Sequence, residues 1–140
     1  MLKYIKYRKG KSLPVVWNKA PDIQLKVEKI LKSLEFDENN KRNIYYYRSL
    51  NSKANARARI WGLSKIWQQA LSLSPSYIIE VISEKFDHLS EKQKEEILIH
   101  EIAHIPKNFT GSLVPHFRKG KRKFSKKVDS LISIYLRKNK

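Results

Sequence analysis

Read as a succession of apolar and polar positions, the chain predicts helices alternating with short strands. From Asp22, placed as an N-cap, Ile23, Val27, Ile30, Leu31 and Leu34 fall at the spacing of one helical face. Asp37 to Asn40 is a polar turn, and Ile44-Tyr-Tyr-Tyr-Arg48 is rich in strand formers. Residues 56–62 predict a second strand, with Arg57, Arg59 and Trp61 on one side and Ala58 and Ile60 on the other. Residues 65–71 fit either strand or helix. The β-branched run Tyr77-Ile-Ile-Glu-Val-Ile-Ser83 is the clearest strand.

Ser90 and Gln93 form a capping-box pair that opens the next helix. Its continuation through Ile97, Leu98, Ile99, Ile102 and Ala103 is apolar on most faces, so burial is expected. Pro106 disfavours helical geometry at Ile105 and stops it. After a loop with Gly111 and Pro115, Val128, Leu131, Ile132, Ile134, Tyr135 and Leu136 mark a final amphipathic helix. Residues 1–20 read as basic and irregular, with Pro14 and Trp17 as packing anchors. No repeat or boundary interrupts the pattern. One α+β domain over 1–140 is the expectation, with basic tails at 1–20 and 118–127.

Composition narrows the chemistry. The chain has no cysteine, which removes disulfides, thiolate metal sites and cysteine nucleophiles together. Any metal would be held by His, Asp or Glu. No apolar run approaches the ~18 residues of a membrane span, and the N-terminus lacks a signal-peptide core, so a cytoplasmic protein without membrane contact is expected. The net charge is +17 and uneven. Residues 1–76 carry 16 basic and 5 acidic side chains, residues 77–106 carry 3 and 7, and residues 107–140 carry 11 and 1. Basic flanks of this kind attract polyanions at low salt, or serve simply as a lysine-rich solvated surface.

The segment that changes the picture is His100-Glu-Ile-Ala-His104. Histidines at i and i+4 of a helix stack on one face, where their nitrogens can meet a single ion. Glu101 lies about 100° further round, near such an ion without competing for it, where a general base belongs. Placed on a buried helix, these three polar side chains would be costly without a purpose.

A catalytic zinc takes three protein ligands and leaves one position for water. Beyond the His100–His104 segment the chain offers one acidic residue, Asp129, and one histidine, His116. His88 lies twelve residues before His100, ~18 Å along the helix axis and out of reach. Thr110 and Lys107 replace a histidine and a glycine of the metzincin pattern, which excludes that class. His116 is the better third ligand, because the chain turns at Pro106 and the loop can return. Asp129 either orients a ligand histidine by a hydrogen bond or is a solvated acid among lysines.

His100-Glu-Ile-Ala-His104 followed by Gly111-Ser-Leu-Val-Pro115-His116 resembles the SprT-like metallopeptidases. With Ile105-Pro106 and the upstream Ala58–Leu63 and Tyr77–Ser83 segments, the sequence is still more similar to small archaeal and phage metallopeptidases, related to minimal gluzincins. The resemblance spans most of residues 55–118. It implies a minimal zincin-like fold, with a short twisted sheet, an active-site helix and flanking N- and C-terminal helices. It implies one zinc ion held by His100, His104 and His116, with Glu101 as base. After His116, Phe117-Arg-Lys departs from the SprT-like pattern.

These readings predict a zinc metallopeptidase acting on peptide or protein substrates. Arg118 is a candidate for stabilising the oxyanion. Residues 77–83 form either an edge strand along the cleft, with Glu80 and Glu84 favouring basic peptides, or an ordinary core strand. A second reading is a nucleic-acid-associated protein using Arg57, Arg59 and Trp61 with Arg118, Lys119, Lys121, Arg122 and Lys123, with or without cleavage of DNA-bound proteins. A third is a non-catalytic module stabilised by zinc.

Overall fold

The computed structural model describes residues 13–116 and 123–140. Among these, four strands form one mixed sheet in the order β1-β2-β4-β3. Strand β1 (Val16–Lys19) runs antiparallel to β2 (Ile44–Leu50), β2 runs parallel to β4 (Tyr77–Ile82), and β3 (Ala58–Gly62) lies antiparallel along β4. Six helices accompany them among the described residues: α1 (Pro21–Ser33), α2 (Glu38–Lys41), α3 (Lys65–Leu71), α4 (Ser83–Phe86), α5 (Glu91–Ala103) and α6 (Lys123–Lys138). The chain is a mixed α+β protein, and no described helix is long and apolar enough to cross a membrane.

The period-two pattern builds one core. Ile44 and Tyr46 of β2, Tyr77, Ile79 and Val81 of β4, and Ala58 of β3 are buried against the helices. From α1, Ile23, Val27, Ile30 and Leu31 meet them at the predicted spacing, joined by Leu98, Ile99 and Ile102 of α5 and Tyr135 of α6. Helix α5 starts with both hydrogen bonds of the Ser90–Gln93 capping box and ends at Ala103, with His104 as C-cap. Helix α6 is tied back to α5 by the Tyr135 hydroxyl, which donates to Glu95.

Some expectations change and two open readings are settled. Asp37, read as the start of a polar turn, is the N-cap of α2. Residues 16–19 are a strand rather than irregular, and Trp17 is 54% exposed instead of anchoring packing. The N-cap of α1 is Ala20, with Pro21 opening the helix; Asp22 instead accepts two hydrogen bonds from the Arg48 guanidinium. Arg48 also reaches Asp87, so one cation joins α1, β2 and the end of α4. Residues 65–71 resolve as helix. Finally, β4 is an interior strand with a partner on each side; β3 and β1 are the edges.

Candidate metal centre

Helix α5 presents His100 and His104 one turn apart, with ring centroids 5.2 Å from each other. A loop brings His116 to the same point. Its Nε2 lies 3.0 Å from His100 Nε2 and 3.1 Å from His104 Nε2, and one ligand atom from each histidine falls within 4.8 Å of the others. A tetrahedral ion with bonds of 2.0–2.1 Å to nitrogen separates its donors by roughly 3.3 Å. The spacing therefore fits a small cation with little adjustment. Among the described residues, this is the cluster of three metal-capable side chains.

His104 shows why the donors are available. Val114 N–H donates to the His104 carbonyl at 2.8 Å, while His104 Nδ1 lies 2.5 Å from the Val114 carbonyl. A carbonyl only accepts, so Nδ1 carries the proton and the Nε2 lone pair is left for an ion. Burial lowers the pKa of both His100 and His104. His100 falls to about 4 through desolvation, reinforced by the other two imidazoles. Neutral imidazoles are the protonation state that binds zinc, copper, iron or nickel.

Glu101 is 7% exposed, with Oε2 at 4.0 Å from His100 Nε2. Desolvation pushes its carboxyl up to about 7. A hollow of about 470 Å³ opens beside it, between Arg57 and Ala58 of the β3 side, Glu96 of α5, and Val128 and Ile132 of α6.

The His116 loop is held from several directions. Phe109 adopts φ 47°, costly for a bulky residue, and packs edge-on against Tyr77 with centroids 4.8 Å apart. The Tyr77 hydroxyl donates to the Ser112 carbonyl at 2.7 Å and accepts from Gly111 N–H at 2.9 Å. Gln68 of α3 donates to the Thr110 carbonyl at 2.8 Å. Gly111 has φ 94°, and its carbonyl approaches Gly62 so closely that a Cβ on Gly62 would sit 2.1 Å from the oxygen. Phe124 of α6 closes the far side, stacked on His104 at 4.4 Å and edge-on to His100 and His116.

Val114, Tyr77, Gln68 and Phe124 were not singled out from the sequence. Phe124 alone had a readable signal, since it precedes Val128 by one helical turn on the amphipathic face. The other sequence candidates scatter. Arg57 is exposed and borders the hollow. Arg59 Nε and Trp61 Nε1 both donate to the buried Glu80 carboxylate. That corrects the proposal that Glu80 selects basic peptides: its charge is spent inside the sheet. Glu84 is exposed and accepts from Asn51 N–H. Asp129 is exposed on α6, its side chain without a hydrogen bond or ion pair among the described residues, and His88 is exposed away from the cluster. Lys123 is exposed at the start of α6, whereas Arg118, Lys119, Lys121 and Arg122 lie outside the described residues.

Residues 15–130 match the sequence profile of a family described as "Putative phage metallopeptidase". No curated protein and no solved structure matches the chain. The profile covers well over half of the sequence, so the chain belongs to this phage metallopeptidase family. Membership implies a hydrolase that uses a metal ion and acts on a peptide or protein.

Proposed function

From that family membership, we propose that the protein is a zinc-dependent peptidase with a zincin-like domain, in which His100, His104 and His116 hold the ion and Glu101 is the general base. The observation that carries the reading is the convergence of three imidazole Nε2 atoms beside a buried glutamate. Three neutral nitrogens and no thiolate suit zinc with one position left for water. When bound, zinc would supply Lewis acidity, polarising a peptide carbonyl and acidifying the attacking water.

The chain's own residues do the rest. Glu101 takes the proton of the attacking water and returns it to the leaving nitrogen. Its side chain is largely desolvated, which favours the protonated carboxyl between the two steps. Val114 holds His104 in the tautomer with Nε2 free, and Phe124 keeps the three rings packed. The open edge beside this site belongs to β3. The Arg57 carbonyl accepts from Ile82 N–H, so strand alternation turns the backbone groups of Ala58 and Ile60 outward. An extended peptide can pair there, which moves to β3 the role considered for residues 77–83.

A purely structural zinc site has no use for a buried carboxylate at this position, which favours the catalytic reading over the non-catalytic module. The test is metal content and peptide hydrolysis of the parent and two variants. Protein purified without chelator should carry about one zinc per chain. Glu101→Gln should keep the metal and lose hydrolysis by a factor of at least ~100, while His116→Ala should lose the metal. Hydrolysis undiminished in Glu101→Gln would remove the proposed base.

A further inference from the structure

The sheet has two faces: the helices pack on one, and on the other Ser49, Glu80 and Ile82 are buried at one end while the rest lies open. Ile44, Tyr46, Ile79, Val81 and Ala58 turn toward the helices. The alternate residues turn the other way. Register places Tyr45, Ile78 and Trp61 in one row across β2, β4 and β3, and these side chains are 49%, 37% and 47% exposed. The next row is Lys19, Tyr47, Glu80 and Arg59. Trp17, two residues before Lys19 on β1, shares the face. Aromatic rings gathered on an open sheet face are not explained by folding, because they give up burial that the core would reward.

The charges on this face are arranged around the rings. Glu80 is fully buried, and its carboxylate is answered by Arg59 and by Trp61 Nε1. The Arg59 guanidinium lies over the Trp61 ring, 4.7 Å from its centroid. The Lys19 side chain has no hydrogen bond or ion pair among the described residues. With Arg42, Tyr45 and Tyr47 it borders a hollow of about 680 Å³, shared with Glu28 and with Glu38, which is paired to Lys41. On the other side, Tyr45, Ile78 and Trp61 border a second hollow of about 540 Å³ rimmed by Asn43, Ser74 and Ser76.

We propose that this open sheet face binds single-stranded nucleic acid, independently of the histidine cluster on the helical side. Exposed rings stack on bases of any identity, and cations beside them meet the phosphates. Tyr45 and Tyr47 are two residues apart on one strand, roughly 6.7 Å, about twice the ~3.4 Å base step of a stacked duplex. Rings at that interval suit bases that are splayed apart rather than paired. The hydroxyl and amide rim near Tyr45 supplies donors and acceptors for base edges, which a lipid tail would leave unused. A chain charge of +17 favours a polyanion over a neutral or basic polypeptide. The strand Arg57–Trp61 thus enters the surface chiefly through Trp61, because Arg59 is already engaged.

The experiment measures the affinity of the full chain for a labelled thymidine oligonucleotide of about 20 nucleotides, and for a duplex of equal length. Anisotropy is followed from about 50 to about 200 mM salt. Tyr45→Ala is the main variant, since replacing Trp61 would also strip a hydrogen bond from Glu80; circular dichroism verifies that each variant is folded. The single strand should bind at least about tenfold more tightly than the duplex, and Tyr45→Ala should weaken it about tenfold. Lys19→Ala should lower the salt slope by about one, while His100→Ala should leave the affinity unchanged. Equal affinity for duplex and single strand with no effect of Tyr45→Ala would reduce the attraction to net charge and overturn the proposal. So would absence of binding at the lowest salt, or Tyr45-dependent binding of phosphatidylserine vesicles without oligonucleotide binding.

Discussion

Replacing Tyr77 by Phe removes one oxygen from the latch of the His116 loop, and the cost follows from what that oxygen does. It donates to the Ser112 carbonyl and accepts from the Gly111 amide. Burial raises the phenol pKa above its usual value, so the donor is present throughout the physiological range. Ser112 is exposed, and its carbonyl can turn to water at little cost. Gly111 is buried, and its N–H would lose its partner, costing ~1–3 kcal/mol. A middle value of about 2 kcal/mol, at about 4 °C per kcal/mol for a chain of this size, lowers Tm by roughly 8 °C. Calorimetry of the metal-free protein measures this directly. A metal titration on the same samples should show weaker binding, because the loop carrying the third imidazole is less well placed. A Tm within about 2 °C of the parent, with unchanged metal affinity, would refute the latch.

Two further changes probe the same scaffold. Gly62→Ala puts a methyl group against backbone rather than a flexible side chain, so strand and loop must separate. Urea unfolding should show a loss of ~1–3 kcal/mol, with lower zinc occupancy on dialysis. Glu80 tests acid stability. Desolvation opposes its ionisation, but the hydrogen bonds from Arg59 and Trp61 prevail and hold its carboxyl below the ordinary range. A depressed folded pKa gives stability that is present above the unfolded value of about 4.3 and lost as pH falls toward the folded one. Glu80→Gln should therefore be less stable than the parent at neutral pH and should flatten the acid limb below about pH 4; an unchanged acid limb would place the sensitive carboxylate elsewhere.

Long, strongly patterned elements were legible in the sequence. Helix α1 buries Ile23, Val27, Ile30 and Leu31 as predicted, with Leu34 half-buried at its C-cap; α5 begins at its capping box, and the β4 run is a strand. What was left open or misread shares a cause, which is that neighbours across the sheet are not written into local spacing. The run Tyr77–Ile82 reads equally well at an edge or in the middle, and only pairing with both β2 and β3 decides. Glu80 resembles a cleft residue until Arg59 and Trp61 arrive from β3 to neutralise it. Strand β1 offers four residues with no buried side, so no alternation announced it. Around the histidines, the i, i+4 pair and the returning Pro115-His116 were readable. The Val114 clasp on His104 was not, because it is made by backbone atoms that every residue possesses.

The position of the three histidines along the chain has a consequence for how an ion and the fold depend on each other. His100 and His116 are sixteen residues apart, and a loop of that length closes cheaply even in a chain without tertiary structure. The parallel pairing of Ile44 in β2 with Tyr77 in β4 spans about twice that separation, which makes its closure ~0.6 kcal/mol costlier. A segment able to grip an ion before the sheet has closed binds it in the unfolded ensemble as well. Such an ion stabilises the native state by less than its full affinity, because only the difference between the two bindings counts. An ion held by the three histidines as proposed would then also act on the order of events, gathering the end of α5 and its loop early in folding.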